Sequence, residues 1–222
     1  PVKHSFSPAM HNAAFAACGI PAEYRLLEIP PDRFDAFFRG EWELSDPRTG
    51  DLSIDDLAGA NVTVPYKERV LPYISIGVSS AGVRAIGAAN TLARNKKGLF
   101  IGFNTDHLGL SRDLTEQGVT VTGKRIAVIG AGGAARSVCY AMRTADDVRI
   151  YDVDEKKAAD LRDAFARNRV TNITVVSSIA GLDLATSDVL FNASPVGMSA
   201  QDPLLVAPDQ MHRGLFIYDL IY

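Results

Sequence analysis

Ile126-Ala-Val-Ile-Gly130-Ala-Gly132-Gly133-Ala134-Ala135-Arg136 runs from an apolar strand straight into a helix, and its glycines decide the fold. Gly130 permits the tight turn, and Gly132 lets backbone approach a pyrophosphate with no Cβ in the way. Ala135 takes the third position of the G-x-G-x-x-G/A spacing and is small enough for close helix–strand packing. The helix N-terminus offers N–H groups and partial positive charge to an anion, so Gly130, Ala131, Gly132, Gly133 and Ala134 are candidate dinucleotide-binding residues. A second strand ends in Asp152, about 20 residues beyond the first glycine. An acid there accepts hydrogen bonds from the adenosine ribose hydroxyls and repels a 2′-phosphate, which favours NAD over NADP. Neither Val153 nor Asp154 offers a positive charge, and Asp154 is the better N-cap for the next helix.

Around this turn, strands are expected at 125–129, 148–151, 172–176, 187–192 and 215–220, with helices at 134–143 and 156–167. That succession defines a doubly wound Rossmann lobe over residues 124–222. Upstream, strands are expected at 24–29, 60–64, 88–93 and 99–103. A helix at 8–18 has Ser7 as N-cap and Pro8 at its first position. Residues 32–39 carry Phe34, Phe37 and Phe38 on one face of a short amphipathic helix. The stretch 39–57 shows no clear period and reads as a surface loop, and Lys96-Lys97-Gly98 reads as a hairpin tip. The fold class is therefore α/β with two lobes. Residues 1–107 form an α/β substrate lobe with a mostly parallel sheet, and 108–123 an interdomain helix and linker.

The 222 residues suit two lobes of about 100 residues each. With 47% hydrophobic and 22% charged residues the composition is that of a globular protein. The net charge of −3 and the lack of a basic block argue against nucleic acid. No apolar run has the length of a membrane span. Cys18 and Cys139 are far apart with no CxxC or Cys/His companion, which points to a reduced, cytoplasmic setting and no metal. His4, His11, His107 and His212 lack metal-ligand spacing and read as structural or surface residues, with His11 on the first helix. The chain starts at Pro1 without initiator Met or signal peptide, so residues are expected to be missing there.

Six short motifs complete the pattern: Ser5-Phe-Ser7-Pro8, Asn61-Val-Thr63-Val-Pro65-Tyr-Lys67, Gly87-Ala-Ala-Asn90-Thr91, Asn104-Thr105-Asp106, the glycine turn, and Asn192-Ala-Ser194-Pro195-Val-Gly197-Met198. In composition and order they resemble the shikimate dehydrogenase family, from Pro1 to Tyr222. The resemblance implies hydride transfer from NAD(P)H to the C3 carbonyl of 3-dehydroshikimate, giving shikimate. It implies that Ser5 and Ser7 bind the substrate carboxylate, in line with the affinity of a helix N-terminus for anions. Lys67 and Asp106 match the catalytic acid–base pair. By the same resemblance, Asn61, Thr63, Lys67, Asn90 and Asp106 are expected to surround the ring hydroxyls, and Tyr222 to approach the substrate. The resemblance further implies that Asn192, Ser194, Pro195 and Met198 form the nicotinamide loop, with Met198 packing on the ring.

The sequence departs from the family in three places. Asp152-Val153-Asp154 stands where many relatives carry an Asn-Arg-Thr-like segment that grips the NADP 2′-phosphate. The 39–57 excursion is longer than expected. A first strand and the closing C-terminal helices, which carry a substrate-contacting Gln, have no counterpart and are expected to be missing. A NAD-dependent quinate/shikimate dehydrogenase is the near alternative, since Asp152 leans towards it while Ser7 favours shikimate. A catalytically silent dinucleotide sensor is the alternative from another class, and it would need neither Lys67 nor Asp106. The expected partners are small molecules, with a homodimer open and neither nucleic acid nor membrane involved.

Overall fold

A computed structural model describes residues 5–46 and 50–221, and the chain divides into two compact units, Pro1–Ala58 and Gly59–Tyr222. In the first unit Pro8, which needs no N–H acceptor in the opening turn, starts α1 (Ser7–Ala17). Ser7 lies inside that helix, whereas the sequence pointed to it as the N-cap. Phe6 holds the cap position and makes no side-chain bond. The Ser5 hydroxyl instead accepts the Ser7 N–H at 3.2 Å and donates to the Ser7 hydroxyl at 3.0 Å. A proline in the opening turn lets the helix begin a residue early, and Ser5 takes over the capping bond. His11 is on this helix as expected and stacks on Tyr24 with centroids 4.4 Å apart.

No strand forms over 24–29. The Asn12 carboxamide accepts the Tyr24 N–H at 2.7 Å and donates to its carbonyl at 3.1 Å, so a side chain takes the place of a ladder partner. The expected phenylalanine helix is α2 (Phe34–Phe38), with Phe34 and Phe37 buried and Phe38 half-buried. Trp42 meets Phe37 edge-on at 6.3 Å. The stretch read as a loop carries an antiparallel pair, β1 (Leu44–Asp46) and β2 (Gly50–Leu52), followed by a 3-10 turn at Ile54–Asp56. Three-residue strands are too short to display an alternating period, which is why the sequence hides them.

The second unit opens with β3 (Gly59–Asn61), α3 (Ala81–Ile86), β4 (Thr91–Arg94) and β5 (Phe100–Phe103). The α/β class holds, but these three strands pair antiparallel in the order β3-β4-β5, where a mostly parallel sheet was expected. For β4 and β5 the reason is local: Asn95 accepts the N–H groups of Lys97 and Leu99, Gly98 adopts φ 79°, and the resulting tight hairpin joins the two strands antiparallel. Helix α3 was not foreseen. Ser80 caps it and left-handed Gly87 ends it, but six residues are too few to show a helical period.

Next come α4 (Asp106–Glu116), β6 (Arg125–Ile129), α5 (Gly133–Ala141), β7 (Asp147–Tyr151), α6 (Glu155–Arg167), β8 (Ile173–Val175), β9 (Val189–Asn192) and β10 (Phe216–Asp219). The five strands form one parallel sheet ordered β10-β9-β6-β7-β8, which is the doubly wound arrangement expected. The order reverses between β6 and β9, which puts a topological switch point at their carboxyl ends, where ligands bind in such sheets. Ile126 and Val128 face one apolar layer with Val138, Leu161 and Phe165, while Ala127 and Ile129 face another with Leu182 and Leu190. Burial on both faces explains why β6 reads as a continuous apolar run. Asp154 caps α6 as expected, accepting the Lys157 N–H at 3.1 Å. Cys139 is buried in the first layer, which pushes its thiol up to about 12 and leaves it unreactive. Among the described residues no helix is long and apolar enough to cross a membrane.

His107, on α4, is buried against Gly82 and edge-on to Tyr140 at 4.9 Å. Burial, and then the charge of Arg143, lower its pKa from 6.5. The unfolded chain therefore binds a proton that the folded chain refuses, over the interval from 6.5 down to the folded value. Stability is full above that interval and falls as the pH drops through it. Between about pH 7 and about pH 5, the urea midpoint of His107→Gln should fall less than that of the parent protein. Parallel slopes would refute this.

Candidate active site

The three-stranded ladder assembles the first half of the site. Its register pairs Asn61 with Thr91 and Thr91 with Phe103, so the residues flanking these positions converge at one end of the sheet. A continuous hydrogen-bonded chain results. Asn61 Nδ2 donates to Thr91 Oγ1 at 3.2 Å, and Thr91 Oγ1 donates to Asn90 Oδ1 at 3.0 Å. Asn90 Nδ2 donates to Asp106 Oδ1 at 2.6 Å, and Lys67 Nζ donates to Asp106 Oδ2 at 2.7 Å. The Lys67 side chain is 16% exposed and that of Asp106 33%, so the pair is sheltered yet reachable. Buried Asn90 also binds Thr105 through its N–H and hydroxyl, which fixes the start of α4 and thus the Asp106 carboxylate. Thr63 stands exposed beyond β3. Sequence alone could not bring Lys67 and Asp106 together, and the fold does.

The glycine turn lies against this chain. A Cβ built on Gly133 would sit 3.5 Å from Lys67 Cδ, so the lysine stem packs directly on the turn. Gly130 has φ 106°, and a Cβ there would lie 2.6 Å from the Ala193 carbonyl oxygen. It therefore serves a close approach of two strand ends as well as a turn. On Gly132 a Cβ would meet only Lys157 Nζ, at 3.9 Å, so that face opens to space. The N–H groups of Gly133, Ala134 and Ala135 have no acceptor within their own helix. An open glycine face beside such donors fits a dinucleotide pyrophosphate. Asp152 follows β7, where its Oδ2 accepts the Ala131 N–H at 2.7 Å and its Oδ1 the Asp154 N–H at 2.9 Å. Each oxygen keeps acceptor capacity for a ribose hydroxyl.

The segment after β9 is held by its own polar groups. Buried Asn192 donates to the Val196 carbonyl at 2.9 Å and to Asp219 at 3.0 Å, and it accepts the N–H and hydroxyl of Ser194. Ser194 in turn accepts the Val196 N–H at 3.2 Å. These bonds make Asn192 and Ser194 the frame of the loop, with Pro195 and Met198 outermost and Met198 75% exposed. Asp202 completes the frame by accepting the N–H groups of Gly197 at 2.8 Å and Ser199 at 3.1 Å, the residues on either side of Met198. Those two bonds hold the Asp202 carboxyl below its usual range. Asp202 could not be singled out from sequence, because nothing marks which acid a turn will fold back on.

In the first unit the Ser5 and Ser7 hydroxyls are hydrogen-bonded to each other at the start of α1. Tyr222, expected near the substrate, and His4 lie outside the described residues. His212 Nε2 lies 2.9 Å from the Ser187 carbonyl oxygen, a structural contact.

Fold and site together define a dinucleotide-binding α/β protein with a lysine–carboxylate pair set against its glycine turn. The family model described as the shikimate dehydrogenase substrate binding domain matches residues 1–92. A shikimate dehydrogenase (NADP(+)) from Methanosarcina mazei is 34% identical over 227 residues, covering 100% of this chain and 76% of that protein. The crystal structure of shikimate dehydrogenase from Aquifex aeolicus superposes with a TM-score of 0.81 at 30% identity, covering 100% of this chain and 76% of that one. Shikimate 5-dehydrogenase from Listeria monocytogenes, in complex with shikimate and NAD, gives 0.80 at 26% identity with the same coverage. The chain belongs to the shikimate dehydrogenase family.

Proposed function

We propose that this protein is a shikimate dehydrogenase, an oxidoreductase that interconverts 3-dehydroshikimate and shikimate with a nicotinamide dinucleotide. The observation that carries the reading is the 2.7 Å Lys67–Asp106 pair, with the lysine stem packed on Gly133 of the dinucleotide turn. When bound, the dinucleotide supplies or takes the hydride at C3. Reduction of the ketone leaves negative charge on its oxygen, and the Lys67 ammonium is the group that donates a proton there. Asp106 holds the ammonium in place, and Asn90 fixes Asp106 from its other oxygen. Partial exposure of both members lets the proton be replaced from solvent.

Asn61, Thr63 and Asn90 take the ring hydroxyls, and the paired hydroxyls of Ser5 and Ser7 take the carboxylate. Gly130, Ala131, Gly132, Gly133 and Ala134 cradle the pyrophosphate, Asp152 takes the ribose, and the 192–198 loop presents Met198 to the nicotinamide. Asp152 supports NAD as the preferred cofactor, in keeping with the NAD in the Listeria complex and against the NADP(+) in the Methanosarcina relative's name.

The test is kcat/KM for shikimate and for quinate, each with NAD+ and NADP+. Shikimate with NAD+ should be the best of the four combinations. Turnover in none of them would end the proposal, and a preference for NADP+ would remove Asp152 as the selector.

A further inference from the structure

Arg136 takes no part in the dinucleotide turn or the proton-donor pair, yet it touches the segments that carry both. Its side chain is only 12% exposed. Its Nε faces the Glu68 carboxylate at 3.3 Å and, though wholly buried, makes no hydrogen bond among the described residues. Its Nη1 donates to the Ile86 carbonyl at 3.3 Å. Glu68 is the neighbour of Lys67. Ile86 is the last residue of α3, and left-handed Gly87 leads from it to Asn90. One guanidinium thus holds both approaches to the acid–base network, the lysine side and the asparagine side.

The position of Arg136 on the helix gives this its consequence. Helix α5 begins at Gly133, within the dinucleotide turn, and Arg136 follows within its first turn. The next residue repeats the arrangement. Buried Ser137 donates to Asn104 Oδ1 at 3.3 Å, and Asn104 Nδ2 donates to the Ala88 carbonyl at 3.2 Å. Asn104 lies two residues before Asp106. A rigid helix end therefore fixes Lys67, Asn90 and Asp106 at one distance from the glycine turn.

We infer that Arg136 is a positioning residue, which sets the Lys67–Asp106 pair in register with the dinucleotide turn through Glu68 and the end of α3. A planar fork can reach a carboxylate and a carbonyl at once, whereas an ammonium is a single point charge. Misplacement of reacting groups by about an ångström costs on the order of 100-fold in rate, so an error in this register should appear in kcat.

The inference rests on the proposed activity only in its kinetic arm. In Arg136→Met, kcat for shikimate should fall by about ten-fold or more, with the dinucleotide Kd changed by less than about three-fold and Arg136→Lys recovering part of the loss. The second arm needs no turnover: acetylation of Lys67 by acetic anhydride, followed by peptide mass spectrometry, should quicken in Arg136→Met as the lysine loses its anchor. Unchanged acetylation of Lys67 would overturn the inference, as would unchanged kcat, or a fall in kcat matched by an equal loss of dinucleotide affinity. If the parent protein fails to oxidise shikimate, the proposed activity falls and the acetylation rate alone decides the role of Arg136. Glu68→Gln, at a half-exposed carboxylate, repeats both arms should Arg136→Met not fold, and unchanged acetylation there overturns the inference too.

Discussion

Replacing Lys67 by methionine is expected to lower kcat by about 10²–10⁴-fold, the usual worth of general acid–base help. Dinucleotide affinity should hardly change. Methionine retains most of the aliphatic stem that packs on Gly133, so the turn keeps its neighbour. It removes the proposed proton donor to the developing alkoxide. Asp106→Asn should cost less, because the amide still offers an oxygen to the Asn90 carboxamide but no longer holds the ammonium. The two losses should combine to less than their product, since both disable one unit. Rates from a stopped assay, with binding followed by dinucleotide fluorescence, check both parts. A Lys67→Met protein with parental turnover would remove the lysine from the mechanism.

The second large effect separates two glycines of one turn. Gly130→Ala should destabilise the fold by about 3 kcal/mol or more, because strain at positive φ adds to overpacking. The added Cβ would lie 2.6 Å from the Ala193 carbonyl oxygen and 2.8 Å from the Ser194 nitrogen, both backbone atoms that cannot rotate away. Gly132 has φ −79° and open space around it, so Gly132→Ala should fold with nearly parental stability. It should nevertheless bind the dinucleotide poorly, since its methyl fills the face through which a phosphate approaches. Urea midpoints and dinucleotide Kd for the two variants test this. Equal midpoints for Gly130→Ala and Gly132→Ala would contradict the account.

These predictions draw on different degrees of legibility. The strand at Arg125–Ile129 could be read to the residue, because four apolar positions, Ile126 to Ile129, buried on both faces run straight into the glycine turn. The Asp154 cap was legible for a similar reason, as capping is local chemistry between neighbours. Pairing in the first half was not legible. The strand at 24–29 had the right residues, but whether a strand forms depends on what lies beside it, and there Asn12 takes the backbone of Tyr24. The hairpin at Leu44–Asp46 and Gly50–Leu52 was too short to show a period. In the site, motifs named Lys67, Asn90 and Asp106, but their meeting is a tertiary fact. The relay through Thr91 could have been suspected, since Thr91 stands inside a motif. Arg136 and Asp202 could not, because their partners lie far off in sequence or in a turn with no signature.

On the proposed reading, Lys67 delivers the proton to the oxygen borne by the carbon that exchanges hydride with the dinucleotide. A crystal structure of the protein with shikimate and oxidised dinucleotide bound tests it most directly. The account predicts the Lys67 ammonium within hydrogen-bond distance of the C3 hydroxyl, Asp106 still paired to it, and the nicotinamide facing the C3 hydrogen. A C3 hydroxyl bound by other groups, with Lys67 turned away to solvent, would contradict it.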